Sequence, residues 1–270
     1  MAIKRKMSNG WVFKDDTMYD NFNVYEDSKA FKVNEQSLER SIKTHWIGEH
    51  KTPVVVIDNF LENVDLTKEL SHKAIYSNDE IKMHASPGLR SIFKVNWRIV
   101  PVVRQHFDCW YRDILNVEYD WPEPKTTFTV IDTSEPLSAV QCHPHIDVDY
   151  KQGQGLGKRN TQLVATLLYL NKDCKGGTGI YKHKKINKHI ITNKKDYNEY
   201  LRLQTEYERN NPNIDENIND KENELFELVE TIEMKYNRLV MYPTCLFHHP
   251  IYSKDDFNTP DCRIILGTFV

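Results

Sequence analysis

From residue 126 onward the chain consists largely of short β-forming runs, at 126–131, 137–147, 162–170, 179–181, 225–234, 238–242 and 262–269, with turn-forming residues between them. Short strands in such a series satisfy their edges by pairing into two facing sheets or a barrel. The pattern therefore predicts an antiparallel double-sheet jelly roll or barrel. Antiparallel pairing also brings together side chains that are far apart in sequence. Upstream, the β-branched run at 54–61 predicts a buried strand. Asn63 or Asp65 can then cap a helix through about Tyr76, with Leu66, Leu70 and Ala74 on one apolar face. A turn follows at Ser86-Pro87-Gly88, and the apolar residues from Val102 to Leu115 suit a second helix covering one side of a sheet. The expected class is mainly β with flanking helices, α+β.

At 270 residues the chain can bury one sizeable core. We expect an N-terminal extension over 1–50, in which Trp11, Phe13, Tyr19, Phe22 and Tyr25 mix with charge and 39–46 forms a short helix, and then one domain over 51–270. A stretch at about 182–221 interrupts the strands. It is basic at first (Lys182, Lys184, Lys185, Lys188, Lys194, Lys195), then acidic and Asn-rich, with Tyr200, Leu203 and Tyr207 on a helical stripe. It reads as a solvated insertion, with a basic strip able to draw an anion across the barrel mouth. A formal charge of −3 argues against wrapping a nucleic-acid backbone, so nucleic acid is not the favoured partner. Five scattered cysteines without a Cys-x-x-Cys pair fit reduced thiols, and no apolar run suits a signal peptide or membrane span, so the expected location is cytoplasmic.

The chemistry concentrates in Gln141-Cys142-His143-Pro144-His145-Ile146-Asp147-Val148-Asp149. On a strand, His145 and Asp147 point to one face and can hold one ion together. An imidazole and a carboxylate are two corners of a facial triad which, completed by a second histidine, leaves positions open on a non-haem Fe(II). The apolar strand at 238–242 leads to His248 and His249, which point to opposite faces; His248 is the expected third ligand and His249 the reserve. Arg263 stands alone in the apolar run at 262–267 and needs an anionic partner, and its planar fork matches a carboxylate. The glycine-rich 153–157 lacks the strand-then-helix setting of a nucleotide fingerprint and reads as a lid or a plain loop.

Taken in order, His145-x-Asp147, then Leu167-Leu168-Tyr169-Leu170-Asn171 with Gly176-Gly177-Thr178, then His248 and Arg263, resemble the 2-oxoglutarate- and Fe(II)-dependent oxygenase superfamily, in its prolyl-hydroxylase-like branch. The resemblance spans about 53–270 and implies a double-stranded β-helix, with iron on His145, Asp147 and His248. It also implies 2-oxoglutarate as co-substrate, its distal carboxylate on Arg263, and O2 as oxidant. Thr166, Tyr169 and Thr178 are candidates for the hydroxyl that assists the arginine, and Gln141, His143 and Asp149 for groups that orient the ligands. The implied activity is hydroxylation of a C–H bond in a protein side chain, an amino acid or a small metabolite. Two other readings are a cupin-type site on His143, His145 and Asp149, and a non-catalytic barrel that binds a partner.

Overall fold

The β-branched run Thr52–Ile57 is buried at every position, as expected of a strand covered on both faces. It forms β2 near one edge of an eight-stranded sheet. The computed structural model describes residues 29–74, 76–77, 87–91, 99–133, 137, 141–150, 154–158, 161–211, 222–254, 256–257 and 262–270. Among them the strands are β1 Ile42–Ile47, β2, β3 Tyr76–Ser77, β4 Leu89–Ser91, β5 Lys125–Ile131, β6 Val164–Tyr169, β7 Gly177–His183, β8 Phe226–Glu233, β9 Leu239–Pro243, β10 His248–Ile251 and β11 Arg263–Phe269. The major sheet runs β1-β2-β9-β6-β11-β5-β4-β3 and the minor one β10-β7-β8, with every pairing antiparallel. This is the double-stranded β-helix. The helices are α1 Glu35–Arg40, α2 Val64–Lys73, α3 Val100–Cys109 and α4 Lys194–Asn210; α3 continues as a π-helical turn, Trp110–Ile114.

Cross-strand register fixes which residues look into the space between the sheets. Arg263 pairs with Ile131, Ile265 with Thr129 and Tyr169, and Ala165 with Tyr242. Directly opposed residues share a face and alternate along each strand. Arg263, Tyr169, Tyr242, Thr129 and Ile131 therefore line the interior side. Phe128, Leu168, Met241 and Leu266 form the apolar opposite side and are wholly buried; each contributes about 2 kcal/mol by leaving water.

Several boundaries differ from the sequence expectation. The stretch 39–46 is not a helix: α1 ends at Arg40, and Ile42–Ile47 is an edge strand paired with β2. The expected break between residues 50 and 51 thus falls after a strand of the main sheet, and Ala30 and Phe31 are already buried in the core. Residues 1–28, with the expected aromatic arm, lie outside the described residues. The run at 137–147 is not a ladder either. His145 makes one isolated bridge, to His248; the next hydrogen-bonded pair along β10 would need an N–H from residue 250, which is Pro250; 138–140 lie outside the described residues.

The region at 182–221 begins inside β7 and is not simply solvated. Helix α4, whose Asn193 side chain accepts from the Asp196 N–H, buries Tyr197, Tyr200 and Gln204. The Tyr200 ring packs on His183 and Phe247. The basic strip is partly neutralised within the fold, through Lys188 with Asp196 and Lys184 with Glu222. Residues 212–221 lie outside the described residues.

The Gly-Gly turn before β7 shows why bulk is forbidden there. Gly176 has φ +68°, and a Cβ on it would overlap the Ile251 carbonyl. Gly176→Ala should cost about 3 kcal/mol in urea unfolding; a midpoint equal to wild type would show that the turn relaxes freely.

Candidate metal centre

His145 and His248 exchange two backbone hydrogen bonds, each 3.0 Å, which places both imidazoles on one side of the bridge. Their ring centroids are 4.5 Å apart. Past His145 the chain bends, and the N–H groups of Asp147 and Val148 both donate to the Thr244 carbonyl, at 2.8 and 3.2 Å. This turns the Asp147 carboxylate back toward the rings. Asp147 Oδ1 lies 3.7 Å from His145 Nε2, and its Oδ2 lies 3.3 Å from His248 Nε2. One ligand atom from each residue falls within 4.8 Å of the others.

Each imidazole is oriented by a carbonyl two residues upstream. His145 Nδ1 faces the His143 oxygen at 3.4 Å, and His248 Nδ1 faces the Leu246 oxygen at 2.9 Å. An N–H at Nδ1 donates to that oxygen and leaves the Nε2 lone pair for an ion. Among the described residues, His145 Nε2 and Asp147 Oδ2 are buried without a hydrogen-bond partner, an arrangement that costs free energy unless something else binds there. Two nitrogens and a carboxylate at about 2.1 Å from one ion and at right angles would lie about 3 Å apart. The donor set and its spacing fit a divalent cation of the Fe(II) class.

Electrostatics point the same way. Burial pushes both His145 and His248 down to about 4, and it pushes the Asp147 carboxyl up to about 6. An incoming cation must displace the Asp147 proton below about pH 6. Co(II) affinity, measured by calorimetry, should be flat above about pH 7 and fall as pH drops through about 6. A fall centred near the ordinary carboxylate value of 3.8 would show that Asp147 is not the group in competition. For the ion-free fold the sign reverses: Asp147 contributes stability below 3.8 that is lost as pH rises through about 6.

His249 points away from the cluster. Its Nε2–H donates to the Gln141 carbonyl at 3.0 Å, and burial holds its pKa down to about 3, so it is a neutral strut. His145 is oriented by the backbone carbonyl of His143, whereas the Gln141 carbonyl serves His249 and the Leu246 carbonyl serves His248. The His143 ring packs edge-on against Tyr207, and Asp149 Oδ1 accepts from Tyr197. With His143 and Asp149 drawn to α4, the cupin-type set is not assembled.

Beyond the triad, on the interior face, lies Arg263, with none of its surface exposed. Its Nη2 donates to the Gly177 carbonyl at 2.8 Å, while Nε and Nη1 are buried without a hydrogen-bond partner among the described residues. The guanidinium sits over the rings of Tyr169 and Tyr252, 5.6 and 5.5 Å from their centroids. Tyr169 Oη and Thr178 Oγ1 share a hydrogen bond of 2.6 Å. Thr166 is not part of this group: it pairs with Met241 and Thr268, on the opposite side of the sheet. Tyr242, unremarked in the sequence, packs its ring 4.5 Å from His248, and burial keeps its phenol protonated. Alternation along the strand at 238–242 could have identified it once its inward face was known.

Solved structures similar to this chain include a viral collagen prolyl hydroxylase from Paramecium Bursaria Chlorella virus-1, in a 2OG complex. That match has 11% identity and a TM-score of 0.39, covering 80% of this chain and 94% of the other. HygX from Streptomyces hygroscopicus, with nickel, 2-oxoglutarate and hygromycin B, is similar at 11% identity and a TM-score of 0.40, covering 81% and 83%. A prolyl-4-hydroxylase from Pseudomonas putida is similar at 10% identity and a TM-score of 0.37, covering 81% and 91%. No curated protein matches. No helix among the described residues is long and apolar enough to cross a membrane. Residues 38–263, a stretch that contains all three clustered groups and Arg263, match the family described as "Family of unknown function (DUF6445)", and the chain belongs to that family.

Proposed function

We propose that the protein is a non-haem Fe(II)- and 2-oxoglutarate-dependent oxygenase that hydroxylates a C–H bond of a protein side chain, an amino acid or a small metabolite. The single observation that carries the co-substrate is Arg263: a wholly buried guanidinium with, among the described residues, two unpartnered donors, on the interior face from which Tyr242 reaches His248. Such a group requires an anion, and a carboxylate matches its fork.

In this reading His145 and His248 give their Nε2 atoms to the iron, and Asp147 gives an oxygen and a balancing charge. An ion held by these three residues alone would keep coordination positions that the keto acid and oxygen could take. Bound Fe(II), with 2-oxoglutarate and dioxygen, supplies an oxidant able to attack an unactivated C–H bond. The chain's own work is to hold and to exclude. Arg263 fixes the far carboxylate, with the Tyr169–Thr178 hydroxyl pair beside it. Tyr242 remains a neutral phenol between the Arg263 and Asp147 charges that act on it. The Nδ1 contacts keep both imidazoles in one tautomer and therefore facing the ion.

The test is anaerobic addition of Fe(II) and then 2-oxoglutarate, following visible absorption. A charge-transfer band that needs both additions is the expected result. Bound iron without the band would remove 2-oxoglutarate from the reading, and no bound metal would leave a non-catalytic barrel.

A further inference from the structure

A second guanidinium looks into the same interior. Arg90, on β4, pairs with Thr129, which pairs with Ile265, which pairs with Tyr169. Opposed residues share a face, so Arg90 and Thr129 project to the side that carries Arg263. This end of the face differs in its access to water. Arg90, Thr127 and Thr129 are half-buried, whereas Tyr169 and Arg263 are fully enclosed. At about 4.8 Å per strand, Arg90 stands two strands, about 10 Å, from the strand of Arg263.

The two charges act on different groups. Arg263 bears on Tyr169, Tyr242 and Tyr252, around the enclosed end. Arg90 bears on His145 and on Asp147, and Arg263 does not figure among the charges that act on Asp147. The interior thus has an enclosed cationic end and a water-accessible cationic end, and the second is the one electrostatically tied to the metal-ligand carboxylate. Lys125 lies on the same face, but four residues beyond Thr129, about 13 Å along the strand, and exposed.

We propose that Arg90 is a specificity-determining residue that seats a carboxylate of a small-molecule substrate in this open strip, with the Thr129 hydroxyl beside it. The inference rests on the oxygenase reading and names the substrate class for the same site. A carboxylate suits a planar fork with a neighbouring hydroxyl. Holding the acid end there fixes which carbon of the substrate faces the metal, because the anchor and the ion together set the substrate's direction.

The experiment uses the full chain loaded with Co(II) and saturated with 2-oxoglutarate, so that Arg263 is occupied. 4-Fluorobenzoate and 4-fluorobenzamide are titrated in separately and followed by fluorine NMR, where proximity to paramagnetic Co(II) broadens the signal. The acid should bind saturably with broadening, and the amide should not. Arg90→Gln should weaken the acid by about tenfold or more, and Arg90→Lys by less, with Co(II) still bound at saturation and 2-oxoglutarate affinity unchanged. Equal binding of acid and amide overturns the proposal, as does an unchanged Arg90→Gln or no acid binding to a protein that holds both Co(II) and 2-oxoglutarate. Loss of Co(II) in Arg90→Gln overturns it too, since the charge would then serve the ligand set. A wild-type protein that takes up neither Co(II) nor 2-oxoglutarate fails the oxygenase reading itself, and the proposal falls with it.

Discussion

Asp147→Ala should lose Fe(II) affinity by on the order of a thousandfold while the fold survives, because the ion loses its only anionic protein ligand. The same change should leave the ion-free protein at least as stable at neutral pH. Burial pushes the Asp147 carboxyl up to about 6, so at pH 7 the apo chain holds an ionised group in a site that disfavours it. Alanine removes that charge. The two effects together separate a ligand from a structural residue. Wild type should gain about 4 kcal/mol of stability when Fe(II) stands near a thousand times its Kd, and Asp147→Ala at the same concentration no more than about 0.5 kcal/mol. Thermal unfolding with and without the metal reads both numbers. A variant that gains as much stability from Fe(II) as wild type would remove Asp147 from the ligand set.

Arg263→Gln should weaken 2-oxoglutarate by about a hundredfold and spare Fe(II), since the guanidinium touches Gly177, Tyr169 and Tyr252 but none of the three clustered groups. Arg263→Lys restores the charge without the fork and should recover only part of the loss. The charge-transfer band titrated with 2-oxoglutarate measures the affinity, and metal calorimetry measures the control. Unchanged co-substrate affinity in Arg263→Gln would make Arg263 a structural residue stacked between two tyrosine rings.

How much was legible follows from where the determining forces lie. The buried strands β2, β6, β9 and β11 were readable because residues covered on both faces leave unbroken apolar runs. That only one of His248 and His249 could face the cluster was readable from strand alternation; which one was not, because it follows from the bridge to His145 and the hydrogen bond of His249 to Gln141. Arg90 was not readable. Its strand has three residues, too short to show a period, and its inward direction comes from β5, almost forty residues downstream. The π-helical turn after α3 and the docking of α4 were equally hidden, since a stripe such as Tyr200, Leu203 and Tyr207 announces a helix but not what it lies on. The ordering of the imidazoles by their own upstream carbonyls was hidden in a different way. The backbone does the work, so no side chain marks it.

The segment that bears His145 and Asp147 has no ladder of its own. It is clipped to β10 by one bridge, and beyond Asp147 it leans on the region of α4: Asp149 receives the Tyr197 hydroxyl at 3.0 Å, and the Tyr150 hydroxyl reaches the Ile191 carbonyl at 2.9 Å. Linkage makes such an arrangement reciprocal. Whatever free energy the helix contributes to keeping the ligands in place, a bound ion returns to the helix. Were the proposed ion bound, its release and the fraying of α4 would be two views of one equilibrium, and a change on the helix's inner face should tune metal affinity without touching His145, Asp147 or His248.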